Sequence, residues 1–540
     1  MAKIALLSLY DEFCIGMRYV ASHMAKHGHP CTIINFKRYN KMEREAAPKD
    51  IEDGYLTQVC PRGEVYLDYS TDITPREEEI LFEILSEGNF DFVGFSIPSY
   101  HAHVAHKYTK IIREKFGLPV IWGGVHATVA AEDCVKTADY VAVGEGEELF
   151  LELIQLLESG GNPAEAAIPG LWVRRPGQEP IRGESRMPPK ELDDLPFPQY
   201  DPLNEYLIED GRLYHNEPLV FSQLHWTYKM VTGRGCPYFC SFCVWSTIKR
   251  DMPETKKLRR RSPQNAIDEI IAVRKKNPQL MMIEFEDDIF TVQKDWLDEF
   301  APLYKKHVGL PFWCYTYPAF VNDYNLEVLK DMGIAYITMG VQSGSDRINY
   351  EVFDRRTERK RVLAAMELIA KHDILANYDI ITNNPYETDE DRMQTLTLLA
   401  NIPGRFNLHM GKLAWFPGTT ISVRAASEGK LRAADEDLYR FWNALYLMAQ
   451  HRLATEEQLV EMTRNEELRK NPEVLWSILN RFADLSDLQR EAEQLRSQTE
   501  SLRAERDSFR AKYESLSGRR VVRVGTKVAD SVKSIVGAAS

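Results

Sequence analysis

Three cysteines fall within eight residues of this chain: Cys236, Cys240 and Cys243 in the stretch VTGRGCPYFCSFCVW. Thiolates packed so closely are costly to hold unless a cation binds them, so the spacing predicts a metal site. Structural zinc usually takes four protein ligands, commonly as two separated Cys-x-x-Cys pairs, and no second pair follows here. A 4Fe-4S cluster also needs four ligands, and three cysteines leave one iron open to a substrate or cosubstrate. The neighbours suit such a loop. Gly233 and Gly235 relieve backbone crowding, Pro237 stiffens the turn, and Phe239, Phe242 and Trp245 would screen a cluster from water.

These cysteines must be held by the elements around them. From 230 to 424 strand patterns (MVTGRG, MMIEFED, PFWCYTY, IAYITMG, LANYDII, FNLHMGKLAWF) alternate with helices near 263 to 276, 295 to 306, 324 to 332, 358 to 371 and 388 to 400. Residues 1 to 160 alternate in the same way, with strands KIALLSL, CTIINF, DFVGFSI, LPVIWGG and YVAVGEG. A polar insertion interrupts that series near 37 to 75. Apolar strands joined by helices predict an α/β fold with a doubly wound parallel sheet, whose ligand lies beyond the carboxyl ends of the strands. The GEGEE stretch is either an anion site at a helix N-terminus or a simple helix start. Residues 161 to 229 carry turn signals, with a hairpin around Pro176-Gly177, and read mainly as a passive linker.

The segment GCPYFCSFC resembles the cluster motif of the radical S-adenosylmethionine (SAM) enzymes. The resemblance implies a partial (β/α)6 barrel over 230–424, with chemistry at its C-terminal rim. It also implies that Cys236, Cys240 and Cys243 hold the cluster while the open iron binds SAM and one electron splits its sulfonium. Among Glu286, Asp287 and Asp288 at a strand end, one would receive the SAM ammonium. Gln342 and Ser343 at the fourth strand end would meet its ribose or carboxylate. Asn383 would contact SAM from the fifth, in DIITNNPYETDED, where Asn384 stands at the family's usual Gly. Pro417, Gly418 and Thr419 resemble the closing Pro-Gly-Thr segment.

Residues 1–160 resemble the cobalamin-binding domain that precedes many such barrels. The first-loop motif Asp-x-His-x-x-Gly is matched by Asp11, Phe13 and Gly16, so Phe stands where the cobalt-ligating His would be. Ser96 and Pro98 partly match Ser-x-Leu, and Gly123 and Gly124 match Gly-Gly. A phenyl ring offers cobalt no lone pair. Two readings follow: cobalamin bound without that His, or an inherited fold without a corrinoid. His101, His103, His106 and His126 lie where they could approach the corrin or serve as ordinary surface and capping groups.

The whole chain sets further bounds. It has 540 residues and a net charge of -13, which argues against nucleic-acid binding. Secretory and membrane-spanning patterns are missing and the other cysteines are scattered, so a reducing cytoplasm is expected. Residues 425–483 read as helical, either capping the barrel mouth or packing as a bundle. Leu488, Leu495, Leu502, Phe509 and Leu516 recur every seventh residue over 484–517. That register predicts a coiled coil for self-association or a partner protein, a solitary helix being the competing reading. The basic tail, 518–540, fits an anionic membrane surface or a frayed end. The expected function is cobalamin-dependent methyl transfer to a carbon or phosphorus centre of a small-molecule substrate. SAM would be both radical source and methyl donor, and a low-potential donor such as flavodoxin or ferredoxin would supply the electron. The alternatives are a radical cyclase, rearrangement or oxidation enzyme, and an Fe-S scaffold.

Overall fold

The computed structural model describes residues 1–38, 42–45, 57–61, 63–68, 73–215, 226–431 and 436–490, with 493, 496, 500 and 506–508 beyond them. Met1–Pro472 form one compact unit, and a second begins at Glu473.

The unit 1–472 contains two nine-stranded sheets. The first runs Ile181–Arg182, Leu171–Val173, Tyr140–Ala142, Val120–Gly123, Phe92–Ser96, Ile4–Leu9, Cys31–Phe36, Glu205–Glu209, Arg212–His215. Its six central strands are parallel, and antiparallel pairings close the edges, two on one side and one on the other. Every residue of Ile4–Leu9 is buried because both faces of the sheet are covered. Ala5, Leu7 and Leu9 join one core; Ile4 and Leu6 join the other, as the two-residue period of a strand requires. Helices Ile15–Lys26 and Glu147–Glu158 cover the second face. The strand order reverses between Ile4–Leu9 and Phe92–Ser96, which creates a switch point at their carboxyl ends.

The reading of 161–229 as a passive linker is corrected here. That segment supplies four strands, two at each edge of the first sheet. The hairpin around Pro176-Gly177 is present, with Ile181 opposite Val173. At the far edge Tyr206 pairs with Ile34, and the Arg18 guanidinium, fully buried, donates to Glu205 at 3.0 Å. A buried cation needs its carboxylate, so this stretch is built into the domain.

The second sheet carries six parallel strands in chain order, Thr227–Met230, Met282–Phe285, Phe312–Thr316, Ile334–Gln342, Leu375–Thr382 and Phe406–Lys412. Helices start where the sequence offers caps. Ser262 accepts from Asn265 N–H, and Thr388 with Asp391 forms a capping box. The polar insertion is also reassigned: its strands Thr57–Cys60, Gly63–Asp68 and Met42–Glu45 extend this second sheet, Val59 opposite Met410. Its hydrogen-bonding groups thereby cover the open edge that a partial barrel leaves.

Helix Glu436–Gln450 is buried on most of its surface and docks on Asp389–Ala400. Asn443 donates to Asn383 at 3.0 Å, so this helix reaches the strand-end rim. In the second unit residues 473–490 are helical. Of the heptad leucines Leu488 is exposed; Leu495, Leu502, Phe509 and Leu516, and the tail 518–540, lie outside the described residues. No helix among the described residues is long and apolar enough to cross a membrane.

Candidate functional site

The cluster loop leaves the end of Thr227–Met230 and is held from several sides. Thr232 donates its N–H (3.0 Å) and hydroxyl (2.8 Å) to Asp287. Gly233 and Arg234 pair antiparallel with Arg260 and Arg259, and Gly235 turns with φ +110°, open to glycine and strained for other residues. Lys249, fully buried, donates to the carbonyls of Cys236 (2.7 Å) and Tyr238, and its ammonium lies 3.9 Å from the Phe239 ring centre. Ser241 is bonded to the far side of the barrel through Val352 and Phe353 carbonyls.

Burial pushes the Cys236 thiol up to about 11 and that of Cys243 to about 12. Thiols so desolvated ionise only when a cation takes the charge. Among the described residues no three His, Cys, Asp or Glu side chains converge on a point for one ion. A cubane places its cysteines on separate irons, and the three thiols are near enough to raise one another's charge cost, Cys236 and Cys240 acting on Cys243, which suits a cluster. The other cysteines are elsewhere: Cys14, Cys31, Cys134 and Cys314 are buried and Cys60 is on the inserted hairpin. Sequence reasoning missed Arg355, which sends one nitrogen to the Gly340 carbonyl and another to within 3.9 Å of Cys240 Sγ, lying over Tyr317. No spacing marks it, since it sits 112 residues beyond Cys243.

The acidic trio separates by role. Asp287 is 4% exposed and spent on Thr232 and Arg260, so it braces the loop. Glu286 is held at 3.1 Å by Lys229. Asp288 is open to a cavity yet walled by protein, and desolvation with the neighbouring Asp287 charge pushes its carboxyl up to about 6. Among the rim candidates, Gln342 sits at a β-bulge with φ +70°. Ser343 is 1% exposed and accepts from Ser345 N–H, a loop-forming role. Asn383 has φ +56° and faces Asn443.

A cavity of about 400 Å³ spans both halves. From the first sheet Gly16, Ser96, Gly123 and Gly124 line it, with Leu6, Ile121 and Phe150 as apolar floor. From the barrel come Glu286, Asp288, Trp245 and Arg234. Glycine makes the room. A Cβ on Gly94 would stand 2.8 Å from Leu6, and one on Gly124 2.7 Å from Ile97 N. A glycine-edged chamber with an apolar floor at a switch point is where a doubly wound sheet takes its ligand. Asp11 is not on the cavity. Its carboxylate accepts the N–H groups of Phe13 (3.0 Å) and Cys14 (2.9 Å), starting helix Ile15–Lys26. Phe13 is 7% exposed beneath Lys229, 4.6 Å from its ammonium.

The four histidines lie off the cavity. His101 is packed against Tyr10 and Tyr100 and pushed by burial to about 3. His106 bonds Thr137 and Asp133, His126 faces Ser99, and His103 is exposed. The GEGEE stretch is no anion site: Glu145 and Glu147 each meet Arg234 at 2.6 Å, and Glu145 also meets Arg259. Glu147 is buried in this set; Glu145, Arg234 and Arg259 are half-buried, the first two at the cavity wall.

A corrinoid-type chamber facing a three-cysteine loop at a barrel rim defines a two-cofactor protein. The chain matches the Radical SAM superfamily over residues 230–399 and the B12 binding domain over residues 3–154. The chain thus carries a radical SAM domain behind a B12 binding domain. It is 25% identical over 371 residues to cytidylyl-2-hydroxyethylphosphonate methyltransferase of Streptomyces wedmorensis, covering 63% of each. An uncharacterised methyltransferase of Pyrococcus horikoshii is 30% identical over 281 residues, 49% of this chain and 54% of that one. The match thus spans about half to 63% of these relatives' lengths. The radical SAM methyltransferase TsrM of Kitasatospora setae shares the fold at TM-score 0.58 and 15% identity, over 79% of this chain and 76% of its own.

Proposed function

We propose that the protein is a cobalamin-dependent radical SAM methyltransferase acting on an unactivated carbon or phosphorus centre of a small molecule. The observation that carries this reading is the single cavity bordered at once by the glycines of the first sheet and by Asp288 and Trp245 beside the cluster loop. When bound, the cluster and SAM supply a one-electron opening of the sulfonium, and the corrinoid supplies the methyl group.

The chain's own groups do the rest. Cys236, Cys240 and Cys243 would hold the cluster. Asp288 receives the SAM ammonium, with Glu286 fixed nearby by Lys229. Gln342 and Asn383 line the same rim. Phe242 and Trp245 exclude water, whereas Phe239 is exposed and lies against Lys249, and helix Glu436–Gln450 reaches the rim through Asn443. A low-potential donor such as flavodoxin or ferredoxin brings the electron. Free cysteines throughout the described chain suit a reducing cytoplasm. Two relatives are named as methyltransferases, one for a cytidylyl phosphonate, which supports methyl transfer to a small molecule.

The test is anaerobic turnover with methyl-labelled SAM, cobalamin and a strong reductant. Label appearing in a product other than methionine or methylcobalamin supports the proposal. Deoxyadenosine formation that proceeds without cobalamin, with no label transferred, replaces it with radical cyclisation, rearrangement or oxidation.

A further inference from the structure

We propose that Arg234 couples the two cofactor-holding halves, so that filling the cavity of the first sheet is felt at the cluster loop and the reverse. The inference rests on the corrinoid reading above. Arg234 stands two residues ahead of Cys236, separated from it by Gly235 alone. Its guanidinium forks between Glu145 and Glu147 at 2.6 Å each and lies 5.5 Å from the Tyr19 ring. Arg259, its partner on the short ladder, holds the second oxygen of Glu145.

What distinguishes this clasp from an ordinary buried ion pair is where it stands. Tyr19, Glu145, Glu147 and Arg234 all line the cavity, together with Gly144 and Gly146. A ligand seated there rests on the groups that anchor the cluster loop. Little slack exists to absorb a shift: a Cβ on Gly233 would meet the Arg259 carbonyl at 3.0 Å and the Asp287 carboxylate at 3.3 Å. A planar guanidinium bound by two carboxylates has one favoured geometry, so displacing either carboxylate moves the loop or breaks a bond. The buried pair Arg18–Glu205 in the same domain is off the cavity and serves as the control.

The experiment titrates the full-length protein anaerobically with hydroxocobalamin, followed by absorbance, once with the cluster reconstituted and once with it removed by chelation. Coupling predicts affinities differing by about fivefold or more between the two forms. By linkage, cobalamin must then shift iron retention against a chelator by the same factor. In Arg234→Gln the two affinities converge, in Arg234→Lys they converge in part, and in Arg18→Gln the ratio is kept. Glu147→Gln is a second route should Arg234→Gln fail to fold, and the wild-type ratio stands independently of both. Equal affinities in the wild-type protein, or a ratio surviving Arg234→Gln, overturn the coupling and leave the corrinoid reading intact. Hydroxocobalamin binding to neither form overturns both.

Discussion

The loop after Thr227–Met230 and the loop after Ile4–Leu9 occupy the same kind of place, the carboxyl end of a parallel strand facing the other half of the molecule. Their chemistry differs. The first offers three thiols, of which Cys236 and Cys243 are desolvated enough to make ionisation costly without a metal. The second offers Phe13 where a ligating imidazole would stand, packed under Lys229, with Asp11 committed to backbone N–H groups. A strand end provides a site, but side-chain donors decide whether it grips a metal or only shapes a chamber. On the proposed function, the cluster would be held by thiolate ligation and the corrinoid by room made with glycine.

The largest effect expected from that contrast is at the cysteines. Replacing Cys236, Cys240 and Cys243 together by Ala abolishes bound iron and sulfide and all SAM cleavage. Cobalamin quantitation on the same sample still finds the corrinoid, bound more weakly; its complete loss would mean the chamber has no grip of its own.

Next is Phe13→Ala, which empties a buried ring site and costs about 3–5 kcal/mol. Cobalamin remains bound, because no ligating atom is removed. The check is the denaturant midpoint at unchanged slope together with a cobalamin titration.

Asp287 and Asp288 sharpen the comparison within two residues. Asp287→Ala strands Thr232 and Arg260 and costs about 1–3 kcal/mol. Asp288→Asn costs no stability and weakens SAM binding about tenfold, about 1.4 kcal/mol, read by equilibrium dialysis. The sign with pH is set by the direction of the shift. A carboxyl raised from 3.8 to about 6 favours the folded state when protonated, and that contribution is lost as pH rises through 6. SAM affinity moves oppositely, falling as pH drops below about 6 and the anion is lost. The Asn variant flattens both profiles.

The smallest effect is Gly16→Ala. It lies in helix Ile15–Lys26 with nothing within 4 Å of a new Cβ, so stability rises by about 0.5–1 kcal/mol. The methyl enters the chamber, and cobalamin affinity falls a few-fold in the titration already described.

Much of the fold was legible because periodicity is local. The helices expected over 263–276 and 358–371 occur at Pro263–Lys276 and Arg359–Lys371. The linker and the polar insertion were misread because edge strands are short and gain their meaning from a distant partner, as when Val59 meets Met410. The same holds for charges. GEGEE reads in sequence as either an anion site or a simple helix start, and nothing near it announces Arg234 or Arg259, 87 to 114 residues away. The four histidines looked alike in sequence; burial between tyrosines separated His101 from the rest.

The sequence by itself determined the donors: three thiols at fixed spacing, a phenyl ring in place of an imidazole, and glycines at strand ends. Those are properties of residue type and near-neighbour spacing, and no fold can add a lone pair to Phe13. Only the tertiary structure decided which of Glu286, Asp287 and Asp288 is free to meet a ligand, and that Glu145 and Glu147 are bound to Arg234. Such choices depend on burial and on partners far along the chain, which come together only when the two sheets pack.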